Sequence, residues 1–173
     1  MKNNVSFHQI EIACRHYFEL RKAGVTKNLS IRTVELFIDV YAKVYLYGNA
    51  NPHSIWDVKD ERYWSIKAIQ KRDILSIHKG HLTLRAGDHF RVEHGTPRRA
   101  LASLVLCRYG RKTTFDESSL RQIIDRHWRL AVITLEEDRH LNKLARARPF
   151  ETPEARWAEA GIHFHESSLP PPA

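Results

Sequence analysis

The sequence predicts an α+β protein, predominantly helical, with an N-terminal helical hairpin and a small β-hairpin or ββα element. Three observations lead there. Apolar residues recur at helical spacing through most of the chain. After Gly80 the period shortens to two, which is the strand pattern. The run Leu130-Ala-Val-Ile133 is wholly apolar and stops directly before a helix start, as a strand buried on both faces would.

With 173 residues the chain can bury one real core, so a single globular domain over 1–165 is predicted, followed by a flexible proline-rich tail at 166–173. A hydrophobic share of 42% with 28% charged residues excludes wholesale disorder. No apolar run approaches the ~18 residues of a membrane span, and no apolar signal-peptide core follows Lys2. Cys14 and Cys107 lie far apart in helical patterns and belong to no CxxC pair. The expectation is two buried thiols in a cytoplasmic protein, with no zinc ribbon or disulfide framework. The formal charge of +8 favours an anionic partner, DNA or RNA, over a membrane. That excess is spread along the sequence: 15 basic against 10 acidic side chains in residues 1–96, and 13 against 8 in 97–157.

Ser6 and Gln9 make a capping box, followed at helical spacing by Phe7, Ile10, Cys14, Tyr17 and Phe18, with Gly24 as terminator. Ser30 is read as the cap of a second helix, with Leu29 and Val34 as a hydrophobic staple and Gly48 at its end. Its stripe of Val34, Phe37, Ile38, Tyr41 and Tyr45 is read as core. A third helix is predicted over 60–79, carrying Lys67, Lys71, Arg72 and Lys79 on its outer face. The segments 81–85 and 90–94 then flank turn chemistry and predict a short hairpin. Thr96 with Pro97 opens a fourth helix that buries Leu101, Leu104 and Val105. A fifth starts at Asp116 and uses Leu120, Ile123 and Ile124. Thr134 and Glu137 form a capping box for the helix after the buried strand, and Thr152-Pro153 opens a last short helix bearing Trp157, ended by Gly161.

The densest polar chemistry lies in Phe90-Arg-Val-Glu-His-Gly-Thr-Pro-Arg-Arg99, where an acid stands beside a histidine at a strand exit. Paired with Leu130–Leu141 it predicts a β–β–α unit in which Glu93 and His94 meet helix-borne Asp138 and His140, the fourth helix being inserted between the strands. Glu93-His94-Gly-Thr-Pro97 resembles the first signature of the ββα-metal (His-Asn-His) nucleases. The resemblance covers about a quarter of the chain. It implies a metal-dependent endonuclease in which His94 is the general base that activates water. Glu93, with Asp138 or His140, would hold one divalent ion (Mg, Mn or Zn), and Arg98, Arg99 and Arg139 would bind phosphate. The chain departs from the pattern in carrying Glu where Asp is commoner, and in having no asparagine placed to orient the His94 ring.

Other readings of the same residues stand beside this one. Glu136, Glu137 and Asp138 stabilise a helix dipole by ~0.3–1 kcal/mol each without any metal. Glu93 and His94 can simply pair with Arg98 or Arg99. Arg121-Gln-Ile-Ile-Asp-Arg-His127 is similar to the Arg-x(4–6)-His element of the HEPN ribonucleases, which implies metal-independent RNA cleavage by Arg121 and His127. A third reading is a non-enzymatic basic module that binds nucleic acid or protein, its arginines including Arg126, Arg129, Arg146 and Arg148, with Trp128 or Trp157 stacking on bases.

Overall fold

A computed structural model describes residues 5–48, 64–75, 88–111, 115–145 and 150–165. Helices dominate, and one two-stranded antiparallel sheet accompanies them, as the sequence predicts. The chain divides into two compact units, each drawn from two stretches of sequence.

The helical unit comprises residues 1–51 and 97–126. Its helices are α1 (Phe7–Lys22), α2 (Lys27–Ser30), α3 (Arg32–Tyr47), α5 (Arg98–Gly110) and α6 (Glu117–His127), the last residue of α6 falling beyond the unit. Ser6 caps α1 in the predicted box, its backbone N–H donating to Gln9 Oε1 at 2.8 Å. Gly24 and Gly48 close α1 and α3 at φ of 85° and 70°, a region that favours glycine. Ile10, Cys14, Val34, Ile38, Leu101, Val105, Leu120 and Ile124 are fully buried.

The predicted start of the second long helix is corrected. Ser30 belongs to the single turn of α2, its hydroxyl donating to Thr26 O at 2.9 Å, and α3 begins after Ile31 without a side-chain cap. Leu29, 68% exposed, forms no staple. Leu104 is exposed although its position was assigned to the core. Cys107 is likewise exposed, so only Cys14 is a buried thiol; burial pushes that thiol up to about 12.

The second unit comprises residues 52–96 and 127–173. It holds α4 (Ile66–Ile74), β1 (Phe90–His94), β2 (Leu130–Thr134), α7 (Leu135–Ala145) and α8 (Pro153–Glu159). Strands β1 and β2 pair antiparallel from Phe90↔Thr134 to His94↔Leu130, and β2 runs straight into α7. All five β2 residues are buried, because both faces of the ribbon are covered. Val132 packs with Phe90, Trp64, Ala68 and Ile69 on one side, while Ala131 and Ile133 pack with Leu141, Trp157, Ala160 and Ile162 on the other. That is why the strand reads as an unbroken apolar run.

The third predicted helix is shorter as described, with Ser65 capping Ile66–Ile74. One of its side chains reverses its assigned side. Arg72 is buried beside the Trp64 ring, and Ile74 is 81% exposed. The remaining ends of that helix, the first hairpin arm at 81–85 and the tail at 166–173 lie outside the described residues.

Candidate functional site

Strand geometry decides where the Glu93–His94 pair can act. Neighbouring residues of a strand project to opposite faces, while cross-strand partners share one. Glu93 lies opposite Ala131, on the face covered by Leu141 and Trp157. His94 lies opposite Leu130, and its ring meets the buried Trp128 edge-on at 6.0 Å between centroids. The acid and the histidine are therefore adjacent in sequence and divided by the ribbon.

On the Glu93 face a cation is already supplied by the chain. Arg156, buried on α8, directs Nη1 at the Glu93 carboxylate. The same nitrogen donates to His94 O at 3.0 Å and Gly95 O at 3.2 Å. One carboxylate and two carbonyl oxygens thus converge on a single guanidinium nitrogen. Gly95 makes the approach possible. A Cβ built there would stand 2.2 Å from Pro153 Cβ and 2.9 Å from a Trp157 ring carbon, so only glycine lets α8 lie against the strand exit. The Gly95 N–H continues the strand pairing by donating to Arg129 O at 2.9 Å.

Burial pushes the Glu93 carboxyl up from its ordinary value; Arg156, then His94, pull it back, and the field of Asp138 adds to the rise. The other acids of α7 have defined structural work. Glu137, buried, accepts the Thr134 N–H at 2.8 Å and the Ser65 hydroxyl at 2.7 Å, while Thr134 Oγ1 accepts the Glu137 N–H at 3.1 Å, completing the predicted box. Glu136 takes Lys71 at 2.9 Å. Asp138 is half-buried and accepts from Asn142 at 3.0 Å; Arg139 and His140 are exposed. Among the described residues, no three His, Cys, Asp or Glu side chains are grouped as ligands for one ion. Arg156 holds the Glu93 carboxylate that such an ion would share.

Two of the arginines assigned to phosphate are also engaged. Arg99 Nε donates to Glu35 at 3.0 Å and Nη1 to Asn28 at 3.0 Å, and Arg98 stands 3.9 Å from Asp39. Glu35 and Asp39 are buried four residues apart on α3, so the two arginines fasten α5 to α3. Arg129 is buried, and Trp128 and Trp157 are almost wholly so, which removes both indoles as platforms for bases.

Arg121 belongs to a second polar cluster, within the helical unit. Its Nη2 donates to Glu117 Oε1 at 2.8 Å and its Nε to the Tyr41 hydroxyl at 3.3 Å. Tyr41 donates to the same Glu117 oxygen at 2.6 Å, and Tyr45 donates to Asp125 at 3.1 Å. The guanidinium carbon stands over the Tyr45 ring at 5.1 Å. Hydrogen bonds from Tyr41 and Arg121 hold Glu117 below its ordinary value. His127, half-buried, ends α6 six residues later, a spacing that sets it about 120° round the helix from Arg121. The two do not share a helix face.

Sequence reasoning missed Arg156 and the Tyr41–Glu117–Arg121–Tyr45–Asp125 cluster. Arg156 carries no local signal, since its partners are more than sixty positions away. The cluster left a trace in the spacing of Tyr41 and Tyr45 on α3 and of Glu117, Arg121 and Asp125 on α6, each a four-residue step along one helix face.

Charge divides unevenly between the units. The helical unit carries 14 Lys and Arg against 7 Asp and Glu, a net +7; the other carries 14 against 13, a net +1. The chain matches no protein-family model, no curated protein and no solved structure.

Proposed function

We propose that the protein binds nucleic acid through its helical unit. The observation that supports this reading is the charge partition: seven of the eight excess positive charges fall in one unit. The acids of that unit are largely occupied, with Glu35, Asp39, Glu117 and Asp125 accepting from neighbouring side chains. Arg15, Lys27, Arg111 and Arg126 are exposed and make no ion pair among the described residues. A polyanion neutralises such an excess and releases counterions, which drives binding entropically.

The test is fluorescence anisotropy with labelled single- and double-stranded oligonucleotides across a salt series. The expected result is binding at low salt that weakens linearly in log affinity against log salt. Absence of binding at 50 mM salt, or binding indifferent to salt, rejects the reading.

A second reading, phosphodiester hydrolysis of the ββα-metal type, is supported by the β1–β2–α7 topology and by the shared electrostatic neighbourhood of Glu93, His94 and Asp138. His94 would act as base, and Glu93 would be available to a cation only once Arg156 had moved. Plasmid and total RNA incubated with Mg²⁺, Mn²⁺ or Zn²⁺, with and without EDTA, test it. Metal-dependent cutting that disappears in His94→Ala supports hydrolysis; intact substrate under every condition rejects it.

A further inference from the structure

We propose that Tyr45, Arg121, Glu117 and Asp125 form a groove that receives an unpaired, amino-bearing nucleobase of a single-stranded nucleic acid. This deepens the nucleic-acid reading above and rests on it. The groove, about 480 Å³, is lined by Phe7, His8, Tyr41, Tyr45, Glu117 and Arg121. It continues past Gln122 to Asp125 as a second depression of about 350 Å³ that shares Tyr45, Glu117 and Arg121. Both volumes fall within the range of small-ligand sites, roughly 300–1,000 Å³, and suit one base rather than a helix.

The platform is built in advance. Tyr45 is 37% exposed, unlike the buried Tyr41 one turn earlier. Arg121 lies over the Tyr45 ring and is fixed by donating to Glu117 and Tyr41. A half-exposed ring with a guanidinium pinned above it gives a base an aromatic face and a fixed cation to pack against, without further ordering of the arginine.

The edge chemistry selects the ligand. Glu117 accepts both of its donors through Oε1, and Asp125 accepts Tyr45 through Oδ2. Among the described residues, Oε2 of Glu117 and Oδ1 of Asp125 are left as acceptors. A phosphate is repelled by these two carboxylates. A cationic ligand is repelled at longer range by the +7 of the unit. What satisfies both fields is a neutral, planar, donor-bearing group attached to an anionic chain. Adenine, cytosine and guanine present exocyclic amino groups of that kind, whereas thymine and uracil present carbonyls on both sides of a single N–H. In a duplex these edges are engaged, so the strand must be single.

The experiment measures binding of the full chain to labelled 12-nucleotide oligo(dA), oligo(dC), oligo(dT) and a mixed duplex at one salt concentration. Free adenosine monophosphate serves as competitor, and Tyr45→Ala, Tyr45→Phe, Glu117→Gln and Asp125→Asn are compared with wild type. The expected result is oligo(dA) and oligo(dC) bound roughly 5- to 100-fold more tightly than oligo(dT) or duplex, the span one stacked and hydrogen-bonded base can provide. Tyr45→Ala and Asp125→Asn erase that preference and leave the salt slope unchanged, while Tyr45→Phe keeps most of it because the ring remains. Circular dichroism confirms folding; should Tyr45→Ala unfold, Asp125→Asn and Glu117→Gln carry the comparison. Equal affinity for every oligonucleotide, unchanged in folded variants, overturns the groove and leaves the charge-driven reading standing. Full displacement by equimolar adenosine monophosphate overturns the single-strand assignment in favour of a free nucleotide. No binding of any oligonucleotide at low salt removes both proposals.

Discussion

Gly95 has no room for a side chain. Because a Cβ there would meet Pro153 Cβ at 2.2 Å, Gly95→Ala must push α8 off the strand exit and loosen the Arg156 contacts with it. The expected loss is about 1–3 kcal/mol, read as a lowered urea midpoint. Arg156 and Glu93 form the most deeply placed ion pair of the site. Arg156→Ala leaves a buried carboxylate unpaired and is expected to cost about 3–5 kcal/mol, while the double variant Glu93→Gln with Arg156→Met recovers part of that loss. A double variant no more stable than Arg156→Ala alone would show that the arginine acts through packing instead. The two carboxylates of interest titrate with opposite sign. Glu93, pushed up by burial, holds its proton to higher pH when folded, so its contribution to stability is present below its unfolded pKa and is lost as pH rises through the folded one. Glu117 is held down by Tyr41 and Arg121, so its contribution is present above its ordinary value of 4.5 and is lost as pH falls through the lowered folded value. In acid titrations the stability gap between wild type and Glu117→Gln should therefore close below about pH 4.5, and the gap to Glu93→Gln should move the other way. A gap to Glu117→Gln that stays constant down to pH 3 would disconnect Glu117 from Tyr41 and Arg121.

Between elements, short polar contacts do the joining. Ser65 caps α4 by accepting the Ala68 N–H at 3.0 Å and donates its hydroxyl to Glu137, the residue that caps α7. One hydroxyl thus ties together two helix starts on opposite sides of the ribbon. Ser65→Ala removes a cap and a buried hydrogen bond, with an expected cost of about 2–4 kcal/mol; a thermal melt unchanged from wild type would reject that coupling. Several of these joints were legible from sequence. The Ser6–Gln9 and Thr134–Glu137 boxes, Pro153 at a helix start and the two-sided burial of Leu130–Ile133 are local rules, and the described structure follows them. The stripe on α3 was read correctly at Val34, Ile38 and Tyr41 and failed at Tyr45, which is exposed and meets α6 through the polar side chains of Arg121 and Asp125. Ser30 misled because Ser is a good cap wherever it falls; here its hydroxyl turns back to Thr26 instead.

Over the whole molecule, charge is the property that sequence order concealed. Counted along the chain the excess is even, but sorted by unit it is +7 against +1, because residues 97–126 join residues 1–51 across an intervening segment. If Arg15, Lys27, Arg111 and Arg126 each neutralise one phosphate, affinity should fall on the order of 50- to 150-fold between 50 and 200 mM salt, and replacing all four by Gln should flatten the slope. A slope unchanged by that replacement would move the contact elsewhere. No helix among the described residues is long and apolar enough to cross a membrane.

By itself the sequence determined the class of fold, most helix boundaries and the β–β–α order, since these follow from spacing, caps and periodicity within a few residues of each other. It also picked out Glu93 and His94. Only the tertiary structure decided what that pair touches. Strand alternation sends the two side chains to opposite faces, and Arg156, 63 residues further along, supplies the cation that Glu93 holds. Long-range partners of this kind leave no local periodicity, so the meaning of the Glu93–His94 step was set by which helix came to lie on Gly95.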